Sequence, residues 1–464
     1  MPRLCTRPRL TLLFSIVLCM TLHSQQPQAD FMSVDAARPV LQQFPDALPP
    51  DLRNATTPEQ WAAWVRAQDL SIRQRLALGE EDTLTNLLRF GVTYTSEYQI
   101  DREYLSKYGS STLVNSFAEN RANDLVRALA SPTASEGMQE MRAFLIQRGY
   151  SFKTAPDRAR VKQHLLENLA HMRDEFAQFR ETLKTADVST EASLYAKRGI
   201  SLDTNLWPDY ALDRCFRELI KAGLLKPGGV HRIAIVGPGL DFANKENGND
   251  FYPPQSIQPF AVLDSLIRLG LTDPRSFELN TFDISPSVNI HLARAQKNAL
   301  AGKPYVVQLP WNSAVPFDKE YFAAFESYWE SLGNQIGSPV KPVSVPLKLA
   351  DAVHIRAISI RPDIAAHITP VDMNVVFQRT RAADPRQKFD LIIGTNIFIY
   401  YGPFEQSLAR ANVSAMLNPG GLALSNDKLA DQVPSQLEEA FTTVIQARTE
   451  PLIIERVYCY RKKP

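Results

Sequence analysis

Two glycines and an acidic residue stand at the ends of two predicted strands. The apolar stretch Arg232–Val236 runs directly into Gly237-Pro238-Gly239. Residues without side chains at this point allow the backbone to approach a ligand closely, at the edge where open α/β sheets bind ligands. Asp283 ends the next predicted strand, and a carboxylate there can accept hydrogen bonds from both hydroxyls of a ribose. Its alternative role is to cap the following helix, although Ser285 could do so instead.

A second pattern joins a strand, a helix and another strand. The strand begins Phe389-Asp390-Leu391-Ile392 and is followed by Thr395-Asn396-Ile397-Phe398-Ile399-Tyr400-Tyr401. A predicted helix, Pro403–Leu417, then leads through Asn418-Pro419-Gly420-Gly421 into a new strand. Together with the glycine turn, these motifs resemble the class I, Rossmann-like S-adenosylmethionine-dependent methyltransferases. Their fourth strand typically reads Phe-Asp-Leu-Ile, and their fifth follows a Leu-x-Pro-Gly-Gly turn. The segment Thr395–Tyr401 is most similar to that of the chemotaxis-receptor methyltransferases, and the resemblance as a whole covers roughly residues 200–430.

The resemblance implies a cofactor, a reaction and a set of site residues. The cofactor would be S-adenosylmethionine, and its methyl group would pass to a small-molecule or protein acceptor that the sequence does not identify. The glycines would hold the methionine part, Asp283 the ribose, and Asp372 would lie near the adenine. The cofactor-binding residues are thus Gly237, Gly239, Asp241, Asp283 and Asp372. Asn396 and Tyr400 would line the cleft of methyl transfer.

Three departures from the family pattern set this chain apart. Ile235 stands where family members usually carry an acid, two residues before the first glycine. Asp241-Phe242 takes the place of the third glycine, and the segment from Gly239 to Asp283 is far longer than the ~20 residues of the dinucleotide-binding version. These departures keep open a second class of function, an exported, non-catalytic binding protein that retains the fold. They disfavour a nicotinamide-dependent oxidoreductase.

The long segment after the glycine turn is itself a candidate substrate element. Residues 243–260 are rich in aromatic residues, prolines and amides, which favours a rigid lid or substrate platform with Tyr252 and Gln258 as polar contacts. The alternative is a surface loop that packs on the edge of the sheet.

Charge and spacing argue against several other partners. The chain has 51 Lys and Arg against 50 Asp and Glu, so no nucleic-acid-binding surface is expected. His164, Glu167 and His171 share one face of a predicted helix, but a solvated polar face explains them better than half of a metal site. We therefore predict no metal.

The elements that must position these residues fall into two regions. Amphipathic patterns predict a helical N-terminal module over residues 58–200, beginning at the capping box of Thr57 and Gln60, with Gly79 as a possible end of its first helix. Residues 201–464 alternate short apolar strands with helices. This predicts an α/β domain with a doubly wound, mostly parallel sheet, preceded by the all-α module, with inserts at 243–260 and 310–370. The predicted strands are Arg232–Val236, Phe277–Phe282, Tyr305–Leu309, Phe389–Thr395 and Leu422–Ser425.

The first residues read as a leader. Three arginines precede the apolar run Leu10–Leu22, which is too short for an ordinary membrane-spanning helix. We predict a secretory signal peptide over residues 1–24, an irregular linker over 25–57 and no membrane span after the leader, so that the protein is exported or anchored at the membrane. The alternative is a misassigned start and a cytoplasmic protein. The alternative matters because S-adenosylmethionine is made in the cytoplasm and is not expected outside it.

Overall fold

The computed structural model describes residues 28–53, 57–100, 112–183, 199–202, 204–241, 250–313, 315, 317–381, 387–450 and 452–464. The predicted signal peptide lies outside these described residues, as does most of the first half of the predicted insert 243–260.

The strands of the described chain form three sheets. In chain order they are β1 Ala29–Phe31, β2 Arg232–Val236, β3 Glu278–Asp283, β4 Tyr305–Asn312, β5 Gly337–Val340, β6 Val353–Ile360, β7 Ile368–Asp372, β8 Gln378–Thr380, β9 Phe389–Gly394, β10 Leu417–Ser425, β11 Leu437–Arg448 and β12 Ile453–Lys462.

Helices occupy much of the rest of the described chain. They are α1 Val34–Gln43, α2 Pro58–Phe90, α3 Thr112–Ala130, α4 Glu136–Gln147, α5 Ala155–Leu183, α6 Leu206–Lys221, α7 Gln258–Arg268, α8 Pro286–Leu300, α9 Lys319–Ser331, α10 Pro362–Ala365 and α11 Pro403–Met416. None of the described helices combines the length and apolar character needed to cross a bilayer.

The central sheet has seven strands in the order β11-β12-β10-β9-β2-β3-β7. β7, β3, β2, β9 and β10 pair in parallel, and β12 runs antiparallel to both β10 and β11. The chain builds outward from β2 through β3 to β7, then returns to the other side of β2 at β9. The predicted doubly wound, mostly parallel sheet is confirmed, and its order reverses between β2 and β9, the kind of position where open α/β sheets bind ligands.

One predicted strand belongs to a different sheet. Tyr305–Leu309 was expected in the central sheet, but β4 pairs antiparallel with β6 along its full length, and β5 completes a separate three-stranded sheet. The third parallel strand is instead β7, which the predicted insert 310–370 largely contained. An apolar run predicts a strand without showing which strand it will pair with, and β4 meets its partner when the chain turns back within this insert.

Alternate residues of the central strands pack into two different cores. Ile233 and Ile235 of β2 lie in a core with α6 and α7, whereas Ala234 and Val236 lie in a second core with α1, α11 and the first half of α2. This alternation follows from the two-residue repeat of a strand that is covered on both faces.

The predicted irregular linker over residues 25–57 is wrong for most of its described part. β1 pairs antiparallel with β8, and α1 buries Val34, Ala37 and Val40 in the second core. The Trp61 indole donates a hydrogen bond to the Met32 carbonyl at 2.6 Å. The few apolar side chains of this segment are enough to order it because they pack against the second core, which distant parts of the chain form. Composition alone does not reveal that core.

The helices predicted over residues 58–200 are present, but the first of them does not end at Gly79. α2 begins at the predicted Thr57 capping box and continues to Phe90. Its second half packs with α3, α4 and α5 in a third core, while its first half belongs to the core on the sheet. That residues 58–200 form a module of their own stays a prediction.

Candidate functional site

A cavity that is open to solvent lies at the carboxyl ends of β2, β3 and β9. Its walls are the glycine turn after β2, Asp283 at the end of β3, the loop after β7 and the loop after β9. Residues 199–202, which we call the strap, and Leu76 of α2 cover it. Of the residues predicted for the site, it brings together Gly237, Gly239, Gln258, Asp283, Asn396 and Tyr400.

Asp283 is buried at the end of β3 and faces the glycine turn. Its Oδ1 accepts a hydrogen bond from the Ser285 backbone amide at 2.7 Å. Burial raises the pKa of Asp283 to about 7, and the negative charge of Asp372 adds to this, whereas the amides of Ser285, Gly239 and Ile284 act in the opposite direction. The α8 cap is Ser285, whose hydroxyl accepts from the Val288 amide, so Asp283 does not take that alternative role.

The glycine turn has the backbone shape that its sequence predicts. Gly237 and Gly239 have φ values of +64° and +72°, in the region that favours glycine. The close approach, however, is made by the protein's own atoms. A Cβ on Gly237 would lie 2.0 Å from Cδ1 of Ile397, and one on Gly239 would lie 2.8 Å from the Leu202 carbonyl oxygen.

The loop after β9 is held in a tight conformation by Asn396. Its φ of +58° makes it the single non-glycine residue with positive φ in the described chain. Its backbone amide donates to Oδ1 of Asn426 at 2.7 Å, and Nδ2 of Asn426 donates back to Oδ1 of Asn396 at 2.6 Å. Since asparagine tolerates this backbone region better than most residues, the pair fixes the turn that directs Ile397 onto Gly237.

Tyr400, in the same loop after β9, also lines the cavity. Its hydroxyl oxygen accepts a hydrogen bond from the Ser201 amide of the strap at 3.4 Å. Its carbonyl accepts one from Arg75 of α2 at 3.0 Å. Tyr400 thus joins the loop after β9 to both the strap and the helical region.

Three predicted site residues do not line this cavity. Asp241 accepts hydrogen bonds from the Tyr252 hydroxyl at 2.8 Å and from Gln255 at 3.2 Å. Both Asp241 and Tyr252 line a separate, smaller cavity beside Trp207 and Trp311. An isolated bridge between Asp241 and Gln255 turns the chain away from the glycine turn, and the sequence does not show this pairing.

Asp372 stands beside Asp283 in the register of β7 and β3 but does not reach into the cavity. Its carboxylate forms an ion pair with Arg73 of α2 at 2.7 Å. The neighbouring Met373 and Asn374 contribute to the wall instead. Successive residues point in different directions, so an assignment that is off by one or two positions selects the wrong side chain.

Sequence reasoning missed the contribution of α2 to this site. Arg73 donates to the Ile284 carbonyl at 3.1 Å, and Asn374 donates to Asp69 at 2.8 Å. With the contact of Arg75 to Tyr400, α2 therefore holds the loops that follow β3, β7 and β9. The Asp69 and Arg73 pair at i, i+4 was visible in the sequence, but such pairs usually stabilise a helix surface and do not reveal a distant partner.

The histidines of the helical region have partners of their own. Nε2 of His164 lies 2.9 Å from Glu81, and its ring stacks on Tyr150. In the part of the chain that the structure describes, no group of three or more His, Cys, Asp or Glu residues is placed to hold a metal ion.

Comparisons with known proteins give distant structural likenesses. No protein-family model matches the chain, and no curated protein matches it. Among solved structures, the N-methyltransferase NodS from Bradyrhizobium japonicum WM9 is 12% identical with a TM-score of 0.27, and the match covers 54% of this chain and 97% of that chain. Magnesium protoporphyrin IX methyltransferase (ChlM) from Synechocystis PCC 6803 with bound SAM is 11% identical with a TM-score of 0.26, covering 60% and 86%. Because these scores are low, the functional proposal below rests on the residues of this chain.

Proposed function

We propose that the cavity binds S-adenosylmethionine and that the chain transfers a methyl group to an acceptor held at the cavity mouth. The observation that carries the proposal is the placement of Asp283. A buried carboxylate ends β3 beside the glycine turn, at the strand-order reversal of a doubly wound sheet. A carboxylate in that position suits the two adjacent hydroxyls of a ribose.

The side chains that line the cavity fit an adenosyl group, whereas the glycine turn in its present shape is partly blocked. Asp283 supplies the acceptor for the ribose, and the apolar Phe282, Ile284 and Met373 beside it suit a flat base. The glycine turn is in contact with Ile397, so a ligand must turn this side chain aside before it can lie against Gly237. Rotation of this side chain frees Gly237 without a movement of the backbone, whereas the Leu202 carbonyl remains in contact with Gly239.

The residues of the chain would mainly align and shield the reactants. When bound, S-adenosylmethionine supplies a methyl group that is already activated by its sulfonium. Asp283 would fix the ribose, and the strap and α2 would exclude water from the cavity. Asn396 and Tyr400 would border the acceptor. A general base is required only if the acceptor must lose a proton, as a phenol does, and a carboxylate acceptor needs none.

Isothermal titration calorimetry of S-adenosylmethionine and S-adenosylhomocysteine into the purified chain tests the proposal. Both should bind, and Asp283→Ala should weaken binding about 10-fold or more, because it removes hydrogen bonds to a charged acceptor. Asp363→Asn is the matched control, since Asp363 is an exposed acid that pairs with Arg361 away from the cavity. Ile397→Ala should bind more tightly than wild type, because no side chain then has to leave Gly237. Absence of binding heat for both ligands would refute the proposal.

A second candidate to be tested beside the first is an exported, non-catalytic protein that keeps the fold for binding, with Ile397 and Leu202 remaining in contact with the glycine turn. The predicted signal peptide agrees with this candidate, and export of the protein is likewise a proposal. Fractionation of tagged full-length protein separates the two. Processed protein outside the cytoplasm would support the binding role, and unprocessed protein in the cytoplasm would support the enzyme.

A further inference from the structure

Gln258 is a buried amide at the floor of the candidate cavity, and both of its N–H groups have partners. It is the first residue of α7, and its side chain is only 3% exposed. Nε2 donates one hydrogen bond to Oγ1 of Thr395 at 2.7 Å and another to Oδ1 of Asp209 at 3.3 Å. An amide nitrogen has two protons, so these two acceptors use its full donor capacity.

The two contacts fix which end of the amide is available to a ligand. The nitrogen of Gln258 faces both Asp209 and Thr395, and an ionised carboxylate at Asp209 holds it there because a carboxylate only accepts hydrogen bonds. Oε1 of Gln258 accepts no hydrogen bond from another described residue, and the protein does not enclose this oxygen completely. Because Gln258 lines the cavity, this oxygen is a positioned acceptor for a donor group of the ligand.

When it is ionised, the Asp209 carboxylate behind the amide favours a positively charged donor. Asp209 lies directly behind Gln258 and is 2% exposed, and burial raises its pKa to about 7. On the other side of the turn, Ile235 is fully buried in an apolar core, although the family pattern has an acid at this position. The carboxyl group at this end of the cavity therefore belongs to Asp209 of α6, since β2 carries Ile235 where the family pattern has an acid.

We propose that Oε1 of Gln258, held in place by Asp209 and Thr395, accepts a hydrogen bond from an ammonium group of the ligand, namely the ammonium of the amino-acid part of the cofactor. This inference rests on the proposed function and adds a subsite to it. The adenosyl part would be held at Asp283, and the ammonium at Gln258.

Calorimetry with two matched ligands tests the subsite. S-adenosylhomocysteine carries the ammonium, and its des-amino analogue lacks that group alone. Gln258→Met keeps the length of the side chain and removes the acceptor. The substitution should weaken binding of S-adenosylhomocysteine about 10-fold or more and change binding of the analogue less than twofold, because hydrogen bonds to charged groups are among the stronger ones. Asp209→Asn should act in the same direction, since it removes the charge and frees the amide to reverse.

Gln255→Met is the matched control. Gln255 is a buried glutamine three residues away, and it bonds Asp241 and Gln308 outside the cavity. Any loss of binding in this variant should be equal for the two ligands, and thermal unfolding of each variant shows whether it is folded.

The outcomes separate this inference from the proposed function. If wild type binds neither ligand, the proposed function and the subsite both fail. If it binds both and Gln258→Met weakens both equally or neither, the subsite alone is refuted. A third result would show that Gln258 contacts an ammonium group of the methyl acceptor and not that of the cofactor, and it would therefore refute the proposed subsite. In that result, butylammonium binds to wild type saturated with S-adenosylhomocysteine and no longer binds to Gln258→Met, while the affinity for S-adenosylhomocysteine is unchanged.

Discussion

At the scale of single residues, Asn396 shows how one position serves both the cavity wall and the backbone. The resemblance assigned it to the methyl-transfer cleft, and it does line the cavity. Its side chain is nevertheless engaged with Asn426, and its backbone has positive φ. A substitution at Asn396 would therefore disturb the position of Ile397 as well as any contact with an acceptor.

Asp283 should make stability depend on pH in a predictable direction. Its folded-state pKa of about 7 lies above the ordinary value of an aspartate, so the folded protein binds a proton that the unfolded chain has already released. The free energy of unfolding should therefore fall as pH rises from about 4 to about 7, and remain level above that. Relative to Asp283→Asn, which does not titrate, wild type should lose at most about 4 kcal/mol of its free energy of unfolding over this pH range. This follows from about 1.4 kcal/mol for each unit by which the pKa is raised.

Urea unfolding of wild type and Asp283→Asn at several pH values measures this difference. Asp363→Asn, at an exposed position, should follow the wild-type curve. Parallel curves for wild type and Asp283→Asn would show that Asp283 is not protonated in the folded state.

The sequence predicts the residues at the strand ends better than those in the turns. Gly237, Gly239 and Asp283 converge because they directly follow parallel strands, and those strands are visible as apolar runs. Asp241 and Tyr252 face another cavity because of a local bridge that no spacing rule reveals. Sequence reasoning identified Gln258 as a polar contact. It did not identify Asp209, 49 positions earlier, as the residue that orients it.

At the scale of elements, α2 and the strap cross in direct contact. A Cβ on Gly79 would lie 1.8 Å from the Ile200 carbonyl oxygen, and the Ile200 amide donates to the Arg75 carbonyl at 3.2 Å. Gly79 was expected as a possible helix end because glycine is a poor helix former. It is present in the middle of α2 because the strap leaves no room for a side chain.

Gly79→Ala should destabilise the protein, although alanine is the better helix former by about 1 kcal/mol. The added methyl group meets backbone atoms of the strap, which must shift, and overpacking of this kind typically costs about 1–3 kcal/mol. The strap covers the cavity, so its shift should also alter binding of S-adenosylhomocysteine.

Urea unfolding measures the change, with Gln74→Ala on the exposed side of α2 as the control, expected to be nearly neutral. A stabilisation of Gly79→Ala would mean that the strap does not cross α2 at this point.

The same reasoning explains which elements sequence patterns predicted. Four strands of the central sheet, β2, β3, β9 and β10, and the helices α8 and α11 have regular apolar repeats and were predicted closely, whereas β7, β11 and β12 were not predicted. α1 and β1 were missed because each is short and buries few side chains, and they are stable only against surfaces formed by distant residues. The predicted place of β4 in the central sheet was wrong because a hydrophobic pattern indicates that a segment is a strand but not which strand it pairs with.

At the scale of the whole molecule, α2 belongs to two cores. Its first half packs on the central sheet and its second half packs with α3, α4 and α5. Because one continuous helix contributes to both cores, unfolding of either core removes packing partners from α2 and destabilises the other core. The helical region and the sheet should therefore unfold together.

Differential scanning calorimetry of Leu125→Ala and Leu391→Ala tests this coupling. Leu125 lies in the helical core and Leu391 in the sheet, and both are fully buried. Each substitution should cost about 2–5 kcal/mol and lower the midpoint of one shared transition. Two separate transitions, each moved by only one substitution, would show that residues 58–200 unfold independently.

The pairing of β1 with β8 also has a consequence for the order of assembly. Asp30 accepts a hydrogen bond from Arg381, 351 positions later, so the beginning of the described chain closes against a segment that is synthesised long after it. Long-range contacts of this kind form late in folding. During synthesis β1 therefore has no partner strand until the residues of β8 have been made.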